Sequence, residues 1–413
     1  MGGGLLTAAG YDVCVVGAGL VGLATARAIV RSHPDASVLI LDKESRAAAH
    51  QSSHNSGVIH SGLYYRPGSM KARLAVEGRR ALYRLAAEAG IPHQRSGKLV
   101  IATDSAEIPA LEELERRGGA NGLEGLRRVG PEEMKEIEPE VTGLAALHVP
   151  EAGVIDFPSV AVRLSEELTT GSAELRTGHA VTALDHEPAG VGISTSQGSF
   201  VARVLVNCAG LQADRVAELA GVEPEVRIVP FRGEYYQLTE EAAALVRALV
   251  YPVPDPRFPF LGVHFTRRVD GTVEVGPNAV LALGREHYRG AAPDWGDVWE
   301  TLRYRGFRRF AVGHWQAGLA EIFRSRSRSL YARSASRLIP AITSENLVEG
   351  GAGVRAQAIR PDGTLEDDFV IQRAGASVHV LNAPSPGATA SLAIGDYIAR
   401  TVGRLLTDTD VRD

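Results

Sequence analysis

Apolar positions along the chain gather into short runs of strand type, separated by stretches in which apolar residues recur at helical spacing. The first full cycle is residues 11–44, YDVCVVGAGLVGLATARAIVRSHPDASVLILDKE. Its run VCVV at 13–16, a glycine turn, a helical stretch and the run VLIL at 38–41 predict strand, turn, helix and strand. Residues 43–65, KESRAAAHQSSHNSGVIHSGLYY, are too polar and glycine-interrupted for a helix, yet too rich in His, Ser and Asn for a passive connection. Helical spacing returns at 69–89, with Leu74, Leu82 and Leu85 on one face and arginines on the other, as in a solvated amphipathic helix. A strand at 98–102, short helices at 108–117 and 131–137 and a strand at 144–149 follow. Residues 153–158, GVIDFP, end a turn and open a helix, so Asp156 reads as its N-terminal cap rather than a catalytic acid.

Paired strands are expected at 175–183 and 190–196, then the apolar run FVARVLVNC at 200–208, which ends in Ala209 and Gly210 ahead of a helix from Gln212. A second glycine turn at a strand's carboxyl end would face the same crevice as the first. From Pro230 the runs FRGEYYQL, LVYPVPDPRFPFLGVHFTRR and TVEVGPNAVLAL predict the antiparallel sheet of a second domain. Residues 295–337 are helical and arginine-rich, a solvated face or oligomer contact in preference to a site for an anionic membrane. The last quarter returns to α/β texture with LVEGGAGVRAQ at 347–357, a strand at 378–381 and a helix opening in NAPSPGATAS. The fold class is therefore α/β, with domains intertwined rather than serial. Residues 11–95, 150–225 and 345–413 are assigned to a Rossmann-type dinucleotide-binding domain. Residues 96–149 and 226–344 are assigned to an antiparallel-sheet-plus-helices substrate domain, and 1–10 to a disordered extension.

Composition narrows the class. A chain of 413 residues with 45% hydrophobic content suits two domains, and a formal charge of -5 gives no reason to expect nucleic acid. Its two cysteines, Cys14 and Cys208, both lie in apolar runs, which excludes a disulfide framework and suits a reducing compartment. No apolar run approaches the roughly twenty residues of a spanning helix, and the start lacks the pattern of a signal peptide. A cytoplasmic location is expected, with at most peripheral contact at the inner face of a membrane; no metal is expected.

The chemistry begins at Gly17, Gly19 and Gly22. They supply a tight turn, close backbone approach to a pyrophosphate, and helix-on-strand packing, with the phosphates on a helix N-terminus. Asp42, about twenty residues past the last glycine, is placed for the ribose hydroxyls and disfavours a 2′-phosphate. Among 45 glycines the triplet alone says little; the strand before it, the helix after it and the acid make it specific. It does not choose between NAD and FAD.

Several longer stretches carry a resemblance. They are HNSGVIHSGLYY at 54–65, FRGEYY at 231–236, YPVPDPRFPFLGVHFTR at 251–267, VGPNAVLAL at 275–283, AGVRAQA at 352–358 and NAPSPGATAS at 382–391. With the glycine unit they resemble the L-2-hydroxyglutarate oxidase/dehydrogenase family, a branch of the D-amino-acid-oxidase-like FAD-dependent oxidoreductases. The resemblance implies a flavoprotein that oxidises the C2 hydroxyl of an L-2-hydroxy dicarboxylate by hydride transfer to flavin N5, with electrons passing on to oxygen, a quinone or a carrier. It also implies site residues. Gly17, Gly19, Leu20, Gly22, Asp42, Lys43, His54, Asn55, Ser56, Val181, Ala209, Gly210, Gly353, Pro384, Gly387, Ala388 and Thr389 would contact FAD. Val181 would do so through its backbone at the adenine, and the 384–389 helix start would face the flavin pyrimidine, where it stabilises the anion of the reduced ring. His60 of GVIHSG would be the base, with covalent flavin attachment a lesser role, and His54 a loop-ordering partner. Arg355 is the first choice for a substrate carboxylate, followed by Tyr64, Tyr65, Tyr236, His264 and Arg232. An amine or amino-acid oxidase of the same fold, or an oxidase of a specialised hydroxy acid, is the alternative. An aromatic hydroxylase is disfavoured because the third quarter has no Gly-Asp phosphate motif of the hydroxylase kind.

Overall fold

The computed structural model describes residues 9–407 apart from 188–189, 256–261, 289–291 and 326. Part of the stretch at 251–267 and residues 1–8 of the expected extension thus lie outside the described residues. Two β-sheets organise the molecule. In the first, Ala9–Val16 runs parallel between Val38–Leu41 and Gly198–Asn207, with Val13 opposite both Val38 and Val204. Ala173–Arg176 extends the sheet beyond Val38–Leu41, and Ser377–Asn382 lies parallel to Gly198–Asn207. The central residues are continuous apolar runs because both faces of these parallel strands are buried, Val13, Val15, Val38 and Ile40 in one cluster and Cys14, Val16, Leu39 and Leu41 in another. Leu20–Ser32 and Gly387–Thr407 pack together on one face around Leu23, Ile29, Ile394 and Ile398, all buried.

Residues 9 and 10, expected within the disordered extension, instead belong to the first strand, Ala9 opposite Phe200 and Gly10 opposite Val201. The long partner Gly198–Asn207 supplies ladder bonds for them. Asp156 occupies the N-cap of Phe157–Thr169, as expected, although its carboxylate accepts from Ser159 Oγ rather than from a backbone N–H.

The second sheet has nine strands among the described residues and is mostly antiparallel. Its spine is the pair Arg227–Leu238 and Leu347–Ile359, running from Arg227 opposite Ile359 to Leu238 opposite Leu347 with a one-residue register shift between Glu234 and Tyr236. Beyond it come Val273–Gly276, His264–Arg267, Leu249–Pro252, Lys98–Ala102 and Ala145–His148. Leu347–Ile359, grouped by its texture with the first domain, thus pairs in the second sheet. Its glycines soften the apolar pattern that marks a strand, so the sequence alone did not show its partner. The arginine-rich stretch forms the helices Trp295–Arg303, Arg305–Ser325 and Arg328–Ala335 on the outside of this sheet.

Candidate active site and family

A cavity of about 1380 Å³ runs from the first glycine turn to the inner face of the second sheet. At its first end, Gly17 has φ +102, and a Cβ there would lie 2.5 Å from Cys208 O. The helix Leu20–Ser32 begins immediately after, and no side chain of its N-cap Gly19 bonds its first turn; Ser52 Oγ accepts from Leu20 N at 2.9 Å. Gly22 does not reach the cavity. It lets the helix lie on the turn, since a Cβ would sit 1.8 Å from Gly17 O. Asp42 is fixed by backbone donors, Oδ2 accepting from Ala18 N at 2.7 Å and Oδ1 from Glu44 N at 2.9 Å. Leu20, Lys43, Val181, Ala209 and Gly210 line the same end, and the Lys43 ammonium is held by Glu44 and Glu286 at the rim.

The loop through residues 50–60 forms the middle of the wall. Asn55 ties it internally, donating to Ser52 O at 2.8 Å and accepting from Gly57 N at 2.9 Å. His54 Nδ1 meets His50 O at 2.9 Å and its ring packs on Tyr288 at 4.4 Å. Gly353 comes close behind, where a Cβ would lie 2.5 Å from His54 O. Thr389, in the first turn of Gly387–Thr407, accepts from His60 N at 3.1 Å and donates to Val58 O at 3.2 Å. That single hydroxyl clamps the loop to the helix start, and Ser56, Pro384, Gly387 and Ala388 line the cavity beside it.

The far end is chemically distinct. His60, Tyr64, Tyr65, Tyr235, Tyr251, His264 and Arg355 converge there from the loop and four strands of the second sheet. His60 Nε2 lies 3.3 Å from Ser385 Oγ, whereas its Nδ1 is enclosed without a partner. Burial holds the His60 pKa well below the usual imidazole value, and the charges of Lys98 and Lys71 push the same way. His264, stacked on Tyr251 at 3.9 Å, is driven down to about 3 by burial. Both imidazoles are therefore neutral at pH 7. Tyr235 is hydrogen-bonded to Arg355, whose charge opposes the upward shift that burial gives the phenol.

Two of the expected substrate residues are not brought to the cavity. Tyr236 packs edge-on against Tyr331 at 4.9 Å in the core of the second sheet, and Arg232 pairs with Glu234 at 2.8 Å. Successive side chains of a strand point to opposite faces, so in Arg227–Leu238 it is Gly233 and Tyr235 that face the cavity, and Arg232 and Tyr236 that do not. Tyr235, Tyr251 and Lys71 line the cavity without having been singled out. Tyr235 and Tyr251 lie in two of the stretches that carry the resemblance, which is the signal the sequence holds for them.

An elongated site with a glycine cradle that a Cβ would fill, an anchored acid for a ribose, and a helix start at the reactive end fits FAD. A family profile described as "FAD dependent oxidoreductase" matches residues 12–401. The chain belongs to that family. It is 46% identical over 389 residues to an L-2-hydroxyglutarate dehydrogenase of Indibacter alkaliphilus, covering 94% of this chain and 98% of that one. An L-2-hydroxyglutarate dehydrogenase of Escherichia coli strain K12 is 41% identical over 397 residues, covering 96% and 94%. Among solved structures, dithionite-reduced L-alpha-glycerophosphate oxidase from Mycoplasma pneumoniae with FAD bound superposes with a TM-score of 0.77 at 25% identity, covering 96% of this chain and 94% of that one. The protein is an FAD-dependent oxidoreductase of α/β fold.

Proposed function

We propose that this flavoenzyme oxidises the C2 hydroxyl of an L-2-hydroxy dicarboxylate, L-2-hydroxyglutarate first among them, to the 2-oxo acid. The observation that carries the reading is the meeting of a neutral histidine, His60, with a guanidinium, Arg355, at the cavity end beside the 384–389 helix start. The names of the relatives point to the same substrate. Bound FAD supplies the hydride acceptor. His60 takes the hydroxyl proton, and Nε2 is the atom, because it is the ring nitrogen not enclosed by protein. Arg355, steadied by Tyr235, holds the carboxylate next to C2, where a planar two-donor fork fixes the angle at which the C2 hydrogen is presented. Gly17, Gly19 and Asp42 hold the pyrophosphate and ribose of the cofactor.

Anaerobic mixing of the yellow protein with L-2-hydroxyglutarate, its D enantiomer, small 2-hydroxy acids and amino acids tests the reading. Rapid bleaching by the L dicarboxylate supports it; bleaching by amines alone makes the protein an amine oxidase of the same fold. In the same assay Arg355→Lys keeps the charge and loses the fork. It should raise the substrate concentration for half-maximal bleaching by about 10–100-fold, with a smaller change in the limiting rate.

A second observation bears on the electron acceptor. All three tryptophans are exposed, Trp295 at 70%, Trp299 at 61% and Trp315 at 58%, on the adjoining helices Trp295–Arg303 and Arg305–Ser325. Arg303, Arg305, Arg308 and Arg309 accompany them, while the acids Asp297 and Glu300 turn inward to Arg215. Exposed indoles beside outward arginines support peripheral docking on an anionic bilayer, from which a quinone would draw the electrons. No helix among the described residues is long and apolar enough to cross a membrane. Changing all three tryptophans to serine should cut co-sedimentation with anionic vesicles several-fold at unchanged flavin content. Equal binding by the triple variant overturns the docking assignment.

A further inference from the structure

We propose that Lys98 is the counter-charge for the second carboxylate of the substrate, and so the residue that makes this site select dicarboxylates over monocarboxylates. The inference rests on the hydroxy-acid reading above and adds to it.

Lys98 opens the strand Lys98–Ala102 and sits opposite Leu249 in the neighbouring strand. It is only 1% exposed. Its ammonium lies 4.2 Å from the centre of the Tyr251 ring and 4.9 Å from that of Tyr64, and both rings line the cavity. Aromatic faces attract a cation but do not neutralise it. No carboxylate among the described residues pairs with Lys98, and no described oxygen accepts from it. The other buried cations differ. Lys71 pairs with Asp367 at 2.8 Å, Arg79 with Glu151 at 2.5 Å, and Arg285 with Asp214. Each of those has a structural partner supplied by the fold, as a buried charge ordinarily does.

A charge buried without a counter-ion is costly, and the cost shows in the amine, whose pKa burial lowers to about 7. Such an arrangement makes sense if the partner arrives from the cavity. A 2-hydroxy dicarboxylate carries two negative charges. Arg355 answers the one beside C2; Lys98, whose ammonium rests against the Tyr64 and Tyr251 rings that line the cavity, answers the other. The flexible four-carbon stem of lysine lets the ammonium shift from the ring faces toward an incoming carboxylate, which a guanidinium fork would do less readily. The position of the charge also couples substrate to base. Lys98 is among the groups that depress His60, so a carboxylate paired with Lys98 relieves part of that depression and strengthens the base when the correct substrate is bound.

The experiment compares L-2-hydroxyglutarate with L-2-hydroxyvalerate, which has the same carbon skeleton and a methyl group in place of the distal carboxylate. Holoenzymes of the wild type, Lys98→Met, Lys98→Gln and Lys98→Arg are first checked for flavin content. The ratio of second-order flavin-bleaching constants for the two acids is then measured. It should fall about 10²-fold in Lys98→Met and Lys98→Gln, and Lys98→Arg should recover part of it. Lys98→Gln keeps a polar end and covers the case in which the methionine variant fails to retain flavin. The binding constant of glutarate, read from the flavin spectrum without turnover, should weaken in step with the ratio. A ratio within threefold of the wild-type value in both neutral variants overturns the assignment, and so does an equal fall in both constants. Bleaching of the wild type by neither acid overturns the hydroxy-acid reading itself, a separate result.

Discussion

Replacing His60 with alanine should leave FAD bound and yellow while slowing its reduction by L-2-hydroxyglutarate about 10²–10⁴-fold, the range over which a positioned base accelerates proton removal. The cofactor is retained because the backbone N–H of His60, bonded to Thr389 Oγ1 at 3.1 Å, still ties the loop to the helix start, and alanine keeps that bond. What disappears is the ring whose Nε2 meets Ser385. The pH profile separates loss of a base from loss of shape. Burial, reinforced by the charges of Lys98 and Lys71, holds the His60 pKa well below 6.5. The free enzyme therefore carries the unprotonated base throughout the neutral range, and kcat/KM should begin to fall only below pH 6.5, as the ring takes up a proton. His60→Ala should lack that acid limb. Full activity in the variant, or the same limb persisting, removes His60 from the mechanism.

The parts of this site that were legible in the sequence are those where the backbone itself makes the contact. A turn at φ +102 and a helix packed 1.8 Å from a hypothetical Cβ leave glycine as the residue that fits, so Gly17 and Gly22 announce their roles by identity and spacing. The loop from His50 to His60 was legible for a related reason: as far as Gly57 its polar residues bond within the loop, only Val58–Ile59 pairs as a short strand, and such a composition stands out between a strand and a helix. The resemblance then turned an unspecified dinucleotide into FAD.

The other side of the site was less legible because the second sheet builds it from strands distant in the chain. Lys98, Tyr235, Tyr251, His264 and Arg355 come from five strands whose order is not that of the sequence. Nothing local in KLVIA says that its lysine is buried, and nothing in FRGEYY says which tyrosine faces inward until the register with Leu347–Ile359 is known. A shift of one residue exchanges the faces of a strand, and with no register assigned to FRGEYY its two tyrosines are not distinguished by sequence. Arg232 failed for the same reason, and its partner Glu234, two residues along on the same face, satisfies it there.

Substituting Gly17 with alanine should give a folded but colourless protein, with the flavin-to-protein absorbance ratio below about a tenth of the wild-type value. The new Cβ would meet two backbone atoms, Cys208 O at 2.5 Å and Cys208 C at 2.9 Å, so no side chain can rotate away to admit it. The backbone there is not free to yield. Cys208 N donates to Val16 O at 2.8 Å, and Val16 is in register with Asn207 at the centre of the first sheet. Added to this overlap is the conformation itself, since a positive φ costs an alanine about 1–3 kcal/mol. The turn must open, and the N–H groups that would meet the pyrophosphate are carried out of place. Gly19→Ala provides the contrast: its φ of -76 suits any residue, and its Cβ would approach only Ser52 Oγ, at 3.1 Å, a side chain able to turn. It should bind FAD more weakly, by about tenfold on the scale of one displaced hydrogen bond, and remain yellow at saturating cofactor. If Gly17→Ala retained a full complement of flavin, the phosphates would have to be held elsewhere, and the roles of Gly17 and Asp42 would fall together.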